Sequence, residues 1–166
     1  MSNCLVIVDV QNGFLSVETD FLPGKISNFL KSTTMFDHIV ATKFYNYVDS
    51  PYIRLLGWNG MMDENSQKVS PLIEQFCEKV FKKNLYSCFT DEFEEYIVIN
   101  DITKLYLLGI DTDCCVLKSA SDAFERNIDV EVLVNYCAST GGVKSHQAAI
   151  TVLVRIIGKN NINSVL

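Results

Sequence analysis

Three side chains in this sequence have the chemistry for covalent acyl transfer: the carboxyl of Asp9, the amine of Lys83 and the thiol of Cys115. A thiol becomes a good nucleophile when a helix N-terminus and a nearby cation favour its anion. Attack also needs a group that takes the thiol proton and later hands it to the leaving group, and a carboxylate fills that role where no histidine is near. Singly, each residue has an ordinary explanation. An Asp after a strand caps a turn, a lone Lys is a solvated charge, and a lone Cys is a small buried hydrophobe. Their weight comes from where the surrounding elements put them.

Those elements alternate. Cys4 to Val10 is a nearly continuous apolar, β-branched run, the pattern of a central strand covered on both faces. Further short apolar runs follow at His38 to Thr42, Lys79 to Lys82, Leu105 to Ile110 and Val130 to Val134. Between them lie helical signals. Pro23-Gly24 leads into Ile26, Phe29, Leu30 and Thr33 at helical spacing, Ser70-Pro71 opens a short helix, and Asp91 to Ile99 reads as another. Thr112-Asp113 offers capping side chains ahead of a stripe of Val116, Ala120, Ala123 and Phe124, and Ser145 to Ile157 forms a last helix. Alternation of this kind predicts an α/β fold: a three-layer αβα sandwich around a mainly parallel sheet. Ligands in such sheets lie beyond the carboxyl ends of the strands. Asp9 closes the first strand, Lys83 follows the third, and Cys115 starts the helix after the fourth. The stretch from Lys43 to Val69 has no sustained period, and loops this long inside a domain usually serve function, so it is expected to cover a site. No linker, repeat or low-complexity segment divides the chain, which reads as one domain over residues 1–166.

Composition narrows the partners. With 14 basic against 20 acidic residues the net charge is -6, a sign that repels phosphate backbones and anionic membranes, so nucleic acid and membrane partners are not expected. No apolar run approaches the roughly 18 residues of a membrane span, and Asp9 breaks the N-terminal apolar run, so a cytoplasmic location is expected. The six cysteines read as thiols without a CxxC pair; with only His38 and His146 beside them, both read as structural, no zinc site is expected. Gly141-Gly142 reads as a turn, no GxGxxG pattern occurs, and no cofactor is expected.

Three segments together resemble the isochorismatase-like cysteine hydrolase superfamily: Leu5 to Phe14 (LVIVDVQNGF), Val80 to Phe89 (VFKKNLYSCF) and Gly109 to Val116 (GIDTDCCV). Their order and separations agree along nearly the whole chain. The resemblance implies a six-stranded sheet of order 3-2-1-4-5-6 and a homo-oligomer. It puts a catalytic triad on Asp9, Lys83 and Cys115, not on the neighbouring Lys82 or Cys114. It also implies a cis peptide between Ile110 and Asp111, aiming the N–H groups of Asp111 and Cys115 at one point as an oxyanion hole. Gln11, Phe14, Phe44, Tyr45 and Trp58 are candidate substrate-binding residues, although core packing explains each about equally well and Gln11 also suits tying down the loop after the first strand.

The chain departs from that pattern in three places. The nicotinamidase branch carries Asp and His metal ligands after the second strand, where Thr42-Lys-Phe-Tyr-Asn46 has none, which argues against a metal-dependent nicotinamidase. Asn135 stands where the family usually has Asp. Asp111 replaces a small apolar residue, and its charge would either repel a developing oxyanion or recognise a cationic or amide group. The expected activity is hydrolysis of a small amide or related C–N bond through a thioester on Cys115, with a thiol pKa well below the usual value. The alternatives are a vinyl ether hydrolase in which Asp9 acts as an acid and Cys115 is dispensable, and a small-molecule binding or thiol-redox protein without turnover.

Overall fold

The structure is a computed structural model and describes residues 1–163. Six parallel strands form one sheet in the order β3-β2-β1-β4-β5-β6: β1 (Ser2–Val8), β2 (His38–Phe44), β3 (Lys79–Lys83), β4 (Ile102–Ile110), β5 (Asp129–Ala138) and β6 (Ile162–Asn163). Helices cover both faces. β1 sits at the centre, and from Cys4 to Val8 it has no exposed surface, as a strand covered on both sides requires. Around it α1 (Leu22–Ser32) packs beside α4 (Pro71–Glu74), and α6 (Leu117–Glu125) beside α7 (Gly142–Ile157). The strand order reverses direction between β1 and β4, the place where a doubly wound sheet opens a crevice.

Helix starts follow local chemistry. Proline occupies the first turn of α1, of α2 (Pro51–Leu56) and of α4, and Thr90 caps α5 (Asp91–Ile99) by accepting from Phe93 N at 3.3 Å. The capping expected of Thr112 and Asp113 does not occur. Thr112 Oγ1 instead pairs with His146 Nδ1 at 2.8 Å, and Thr112–Val116 forms a single wide π-turn closed by Val116 N donating to Asp111 O at 3.1 Å. Cys115 therefore lies inside this turn, just ahead of α6. The apolar stripe holds for Val116, Ala120 and Ala123, but Phe124 is 55% exposed because it falls in the last turn, past the sheet.

β5 runs beyond the expected Val134 because its ladder with β4 slips between Leu107 and Gly109, a bulge that breaks the alternation read from sequence. α7 begins at Gly142, ahead of the expected Ser145. The segment from Lys43 to Val69 is not a bare loop. It carries α2 and the one-turn α3 (Glu64–Gln67), and a bridge from Gln11 to Val69 ties it to the loop after β1. Among the described residues no helix is long and apolar enough to cross a membrane.

Candidate active site

The carboxyl ends of β3, β2, β1 and β4 bring the three reactive side chains into contact. Lys83, the last residue of β3, places Nζ 2.6 Å from Asp9 Oδ2 and 3.6 Å from Cys115 Sγ. The same ammonium donates to the carbonyls of Leu85 at 2.8 Å and Tyr86 at 3.2 Å, and lies 5.3 Å from the centre of the Phe44 ring. Both side chains of the pair are fully buried. Thr42, at the end of β2, links the strands by donating Oγ1–H to Asp9 Oδ1 at 2.6 Å and accepting from Asp9 N at 3.1 Å.

Two backbone features let these strands meet. Asp9 itself has φ 50, a conformation few residues other than Gly, Asn and Asp adopt. Gly109 pairs with Val8 across the sheet at φ 126, and a Cβ there would stand 2.1 Å from Val8 O. Only glycine fits. The Ile110–Asp111 peptide is cis, as the resemblance implied.

Electrostatics correct one expectation. The Cys115 thiol is pushed well above its ordinary value: burial raises it, the Asp9 carboxylate raises it further, and Lys83 lowers it only in part. The sequence suggested the opposite because Lys83 looked like a free cation; in the fold its charge is already matched by Asp9. Burial works against the Lys83 ammonium too, but Asp9 and Cys115 outweigh that and hold its pKa above normal. The resting site is therefore a neutral thiol beside a closed ion pair.

Above Cys115 opens a cavity of about 510 Å³ with five aromatic rings in its wall. Phe14 and Trp58 lie nearly parallel with centroids 6.2 Å apart, Phe44 meets Tyr52 edge-on at 5.1 Å, and Tyr52 meets Tyr86 at 5.2 Å. Of the candidate binding residues, Phe14, Phe44 and Trp58 line this cavity. Gln11 and Tyr45 do not. The Gln11 amide is spent on backbone, accepting from Phe44 N at 2.8 Å and donating to Phe44 O at 2.9 Å and Gln67 O at 2.7 Å. Tyr45 lines a separate depression with Lys43, Gln67 and Lys82, since consecutive residues of an extended segment face opposite ways.

Asp111 stands in the cavity wall, its Oδ1 accepting from Thr140 N at 2.6 Å and its Oδ2 from Thr140 Oγ1 at 2.9 Å. Burial raises its pKa, and the two Thr140 bonds offset that only in part. Asn135 lines a different cavity of about 310 Å³, together with Lys25, Ser139 and His146. His38 sits in a network with Glu78 and Tyr96 away from the site. Among the described residues no group of three or more His, Cys, Asp or Glu is arranged to hold a metal. Sequence reasoning missed Thr42, Tyr52, Tyr86 and Thr140. Tyr52 lies in the segment expected to cover a site and Tyr86 follows Lys83 closely, but nothing in the sequence says which way either ring turns.

Comparison with known proteins finds the same fold elsewhere. The family model for the isochorismatase domain matches residues 3–159. The "Isochorismatase domain-containing protein 2" of Xenopus laevis is 33% identical over 66 residues, which is 39% of this chain and 32% of that protein, so the match spans about a third of the relative's length. The nicotinamidase of Bacillus subtilis superposes with a TM-score of 0.81 at 20% identity, covering 99% of this chain and 100% of that one. The N-carbamoylsarcosine amidase of Thermoplasma acidophilum gives 0.72 at 26% identity, covering 92% and 93%.

Proposed function

Because the chain belongs to the isochorismatase family, we propose that it is a cysteine hydrolase cleaving a small amide or related C–N bond through a thioester on Cys115. One observation carries this reading: Asp9, Lys83 and Cys115 touch at the floor of an aromatic cavity. That two structurally similar proteins are named as a nicotinamidase and an N-carbamoylsarcosine amidase supports the C–N bond as the target.

The resting thiol is neutral, so its proton must leave as the new bond forms. Asp9 accepts that proton while Sγ attacks the carbonyl carbon, and the C=O electron pair moves onto oxygen. Lys83 is then released from a full ion pair, and its charge is turned to the oxyanion and sulfur. The N–H groups of Asp111 and Cys115 are the proposed donors to that oxyanion. As the C–N bond breaks, the proton on Asp9 passes to the leaving nitrogen. Water next attacks the thioester, giving a proton to Asp9, and the C–S bond breaks with that proton returning to sulfur. The acid is released and the thiol restored.

The test is ammonia release from a panel of small primary amides by the parent protein and by Cys115→Ser, Asp9→Asn and Lys83→Met, with intact-mass analysis after acid quenching. The parent should turn over and show an acyl adduct on Cys115, and each variant should lose about 10³-fold or more. Undiminished activity in Cys115→Ser would sink the thioester and favour vinyl ether hydrolysis with Asp9 as the acid. Binding without turnover, or a reversible two-thiol mass change, would favour a small-molecule binding or thiol-redox protein.

A further inference from the structure

The cavity above Cys115 has an uneven charge. Among its described lining residues Asp111 is the one acidic side chain, and none is basic; Lys83 lies beneath, paired to Asp9. The Asp111 carboxylate is held in place rather than silenced. Thr140 gives one hydrogen bond to each oxygen, and a carboxylate has about four acceptor sites, so each oxygen keeps a lone pair for a ligand. Two charged groups that act on it, Asp113 and Asp9, are acidic too.

The same cavity is lined by the rings of Phe14, Phe44, Tyr52, Trp58 and Tyr86. Their faces carry negative potential and attract a cation placed over them, most strongly where water is excluded. An anionic group entering this space would meet a carboxylate with no basic side chain in the lining to offset it. A neutral apolar group would gain area and nothing from Asp111.

We propose that this cavity is a cation seat, and that the substrate is a small amide also carrying a compact positive charge, such as an alkylated ammonium group, with Asp111 and the aromatic wall as the residues that select it. Turnover of such a substrate rests on the cysteine-hydrolase reading above; binding does not. The same residue meets the objection that a carboxylate beside the reacting carbonyl would repel a developing oxyanion, since a bound cation neutralises it before the chemistry begins.

Three amides of similar size separate the cases: trimethylammonio-acetamide, its neutral isostere 3,3-dimethylbutanamide, and anionic succinamate. Trp58, the one tryptophan in the chain, lies in the cavity wall and reports binding by fluorescence. Titrations use the parent and Cys115→Ser, so that affinity is read without turnover. The cation should bind about tenfold or more tighter than its isostere, with succinamate weakest, and Asp111→Asn should cut that ratio to about threefold or less. Should Asp111→Asn fail to fold, salt serves instead: raising it from about 0.02 to about 0.5 M should weaken the cation and leave the isostere unchanged. An isostere that binds as tightly as the cation, or a ratio unmoved by both Asp111→Asn and salt, overturns the seat. Selective binding without hydrolysis leaves the seat standing and removes the hydrolase reading; equal hydrolysis of cation and isostere does the reverse.

Discussion

At the residue scale, the Asp9–Lys83 pair sets both the stability and the chemistry of the site. Removing one member of a fully buried ion pair strands the other charge, which costs about 3–5 kcal/mol, whereas removing both is far milder. Lys83→Met should therefore lower the urea midpoint sharply, and Asp9→Asn combined with Lys83→Met should recover most of the loss. A single variant as stable as the parent would mean that the pair is open to water. The pair also governs Cys115. With its pKa raised, the thiol is less ionised near pH 7 than a free cysteine, so native alkylation of Cys115 should be slower than that of a model thiol. Asp9→Asn removes a group that raises the thiol and leaves Lys83, which lowers it, so labelling at pH 7 should speed up. Slower labelling in that variant would show that the carboxylate does not hold the proton on sulfur. Asp9, Lys83 and Cys115 were all legible in the sequence, because each sits in a motif at a strand end. The ionisation of Cys115 was not, because it depends first on how deeply the fold buries the thiol and then on how close Asp9 and Lys83 come to it and to each other.

At the element scale, the approach of β1 to β4 is the tightest constraint. Gly109→Ala would force a Cβ against the Val8 carbonyl at a φ that side chains rarely adopt, with backbone rather than a flexible side chain as the obstacle. The expected cost is about 3 kcal/mol or more, read from the urea midpoint, together with loss of any activity that depends on Asp9 meeting Cys115. A parent-like midpoint would show that the two strands can part without penalty. Most strands and helices were legible because their runs are long and strongly patterned. The misses have local causes: Thr112 turned to His146 instead of capping, Asn135 sits in the slipped part of β5, and β6 is only two residues long. Phe44 and Tyr45 were both expected at the site, but consecutive residues of an extended segment face opposite ways and Phe44 alone reaches the cavity.

At the scale of the whole molecule, alternating elements gave a parallel sheet, but a right-handed crossover can lead to either neighbouring position, so strand order came from the resemblance alone. The finished core also buries thiols. Burial pushes Cys77, Cys88 and Cys137 from an ordinary value of 9.0 up to about 12, and raises Cys4 as well. The folded chain then keeps protons that the unfolded chain releases above pH 9, so stability present below that pH is lost as pH rises. Each such thiol contributes up to about 1.4 kcal/mol per pH unit until it ionises in the fold, and Tyr52, raised to about 12, acts in the same direction. The urea midpoint under reducing conditions should fall between pH 7.5 and pH 10, and a constant midpoint would contradict the burial of these groups. The neighbouring strands β1 and β4 bear on timing as well as place. They are far apart in the chain, with β2, β3 and five helices between them, and such non-local ladders close late. Asp9 and Cys115 come together only when that ladder zips shut, so during refolding the recovery of helix signal should run ahead of the proposed hydrolase activity, and turnover by that activity would be a clock for the last step of sheet assembly.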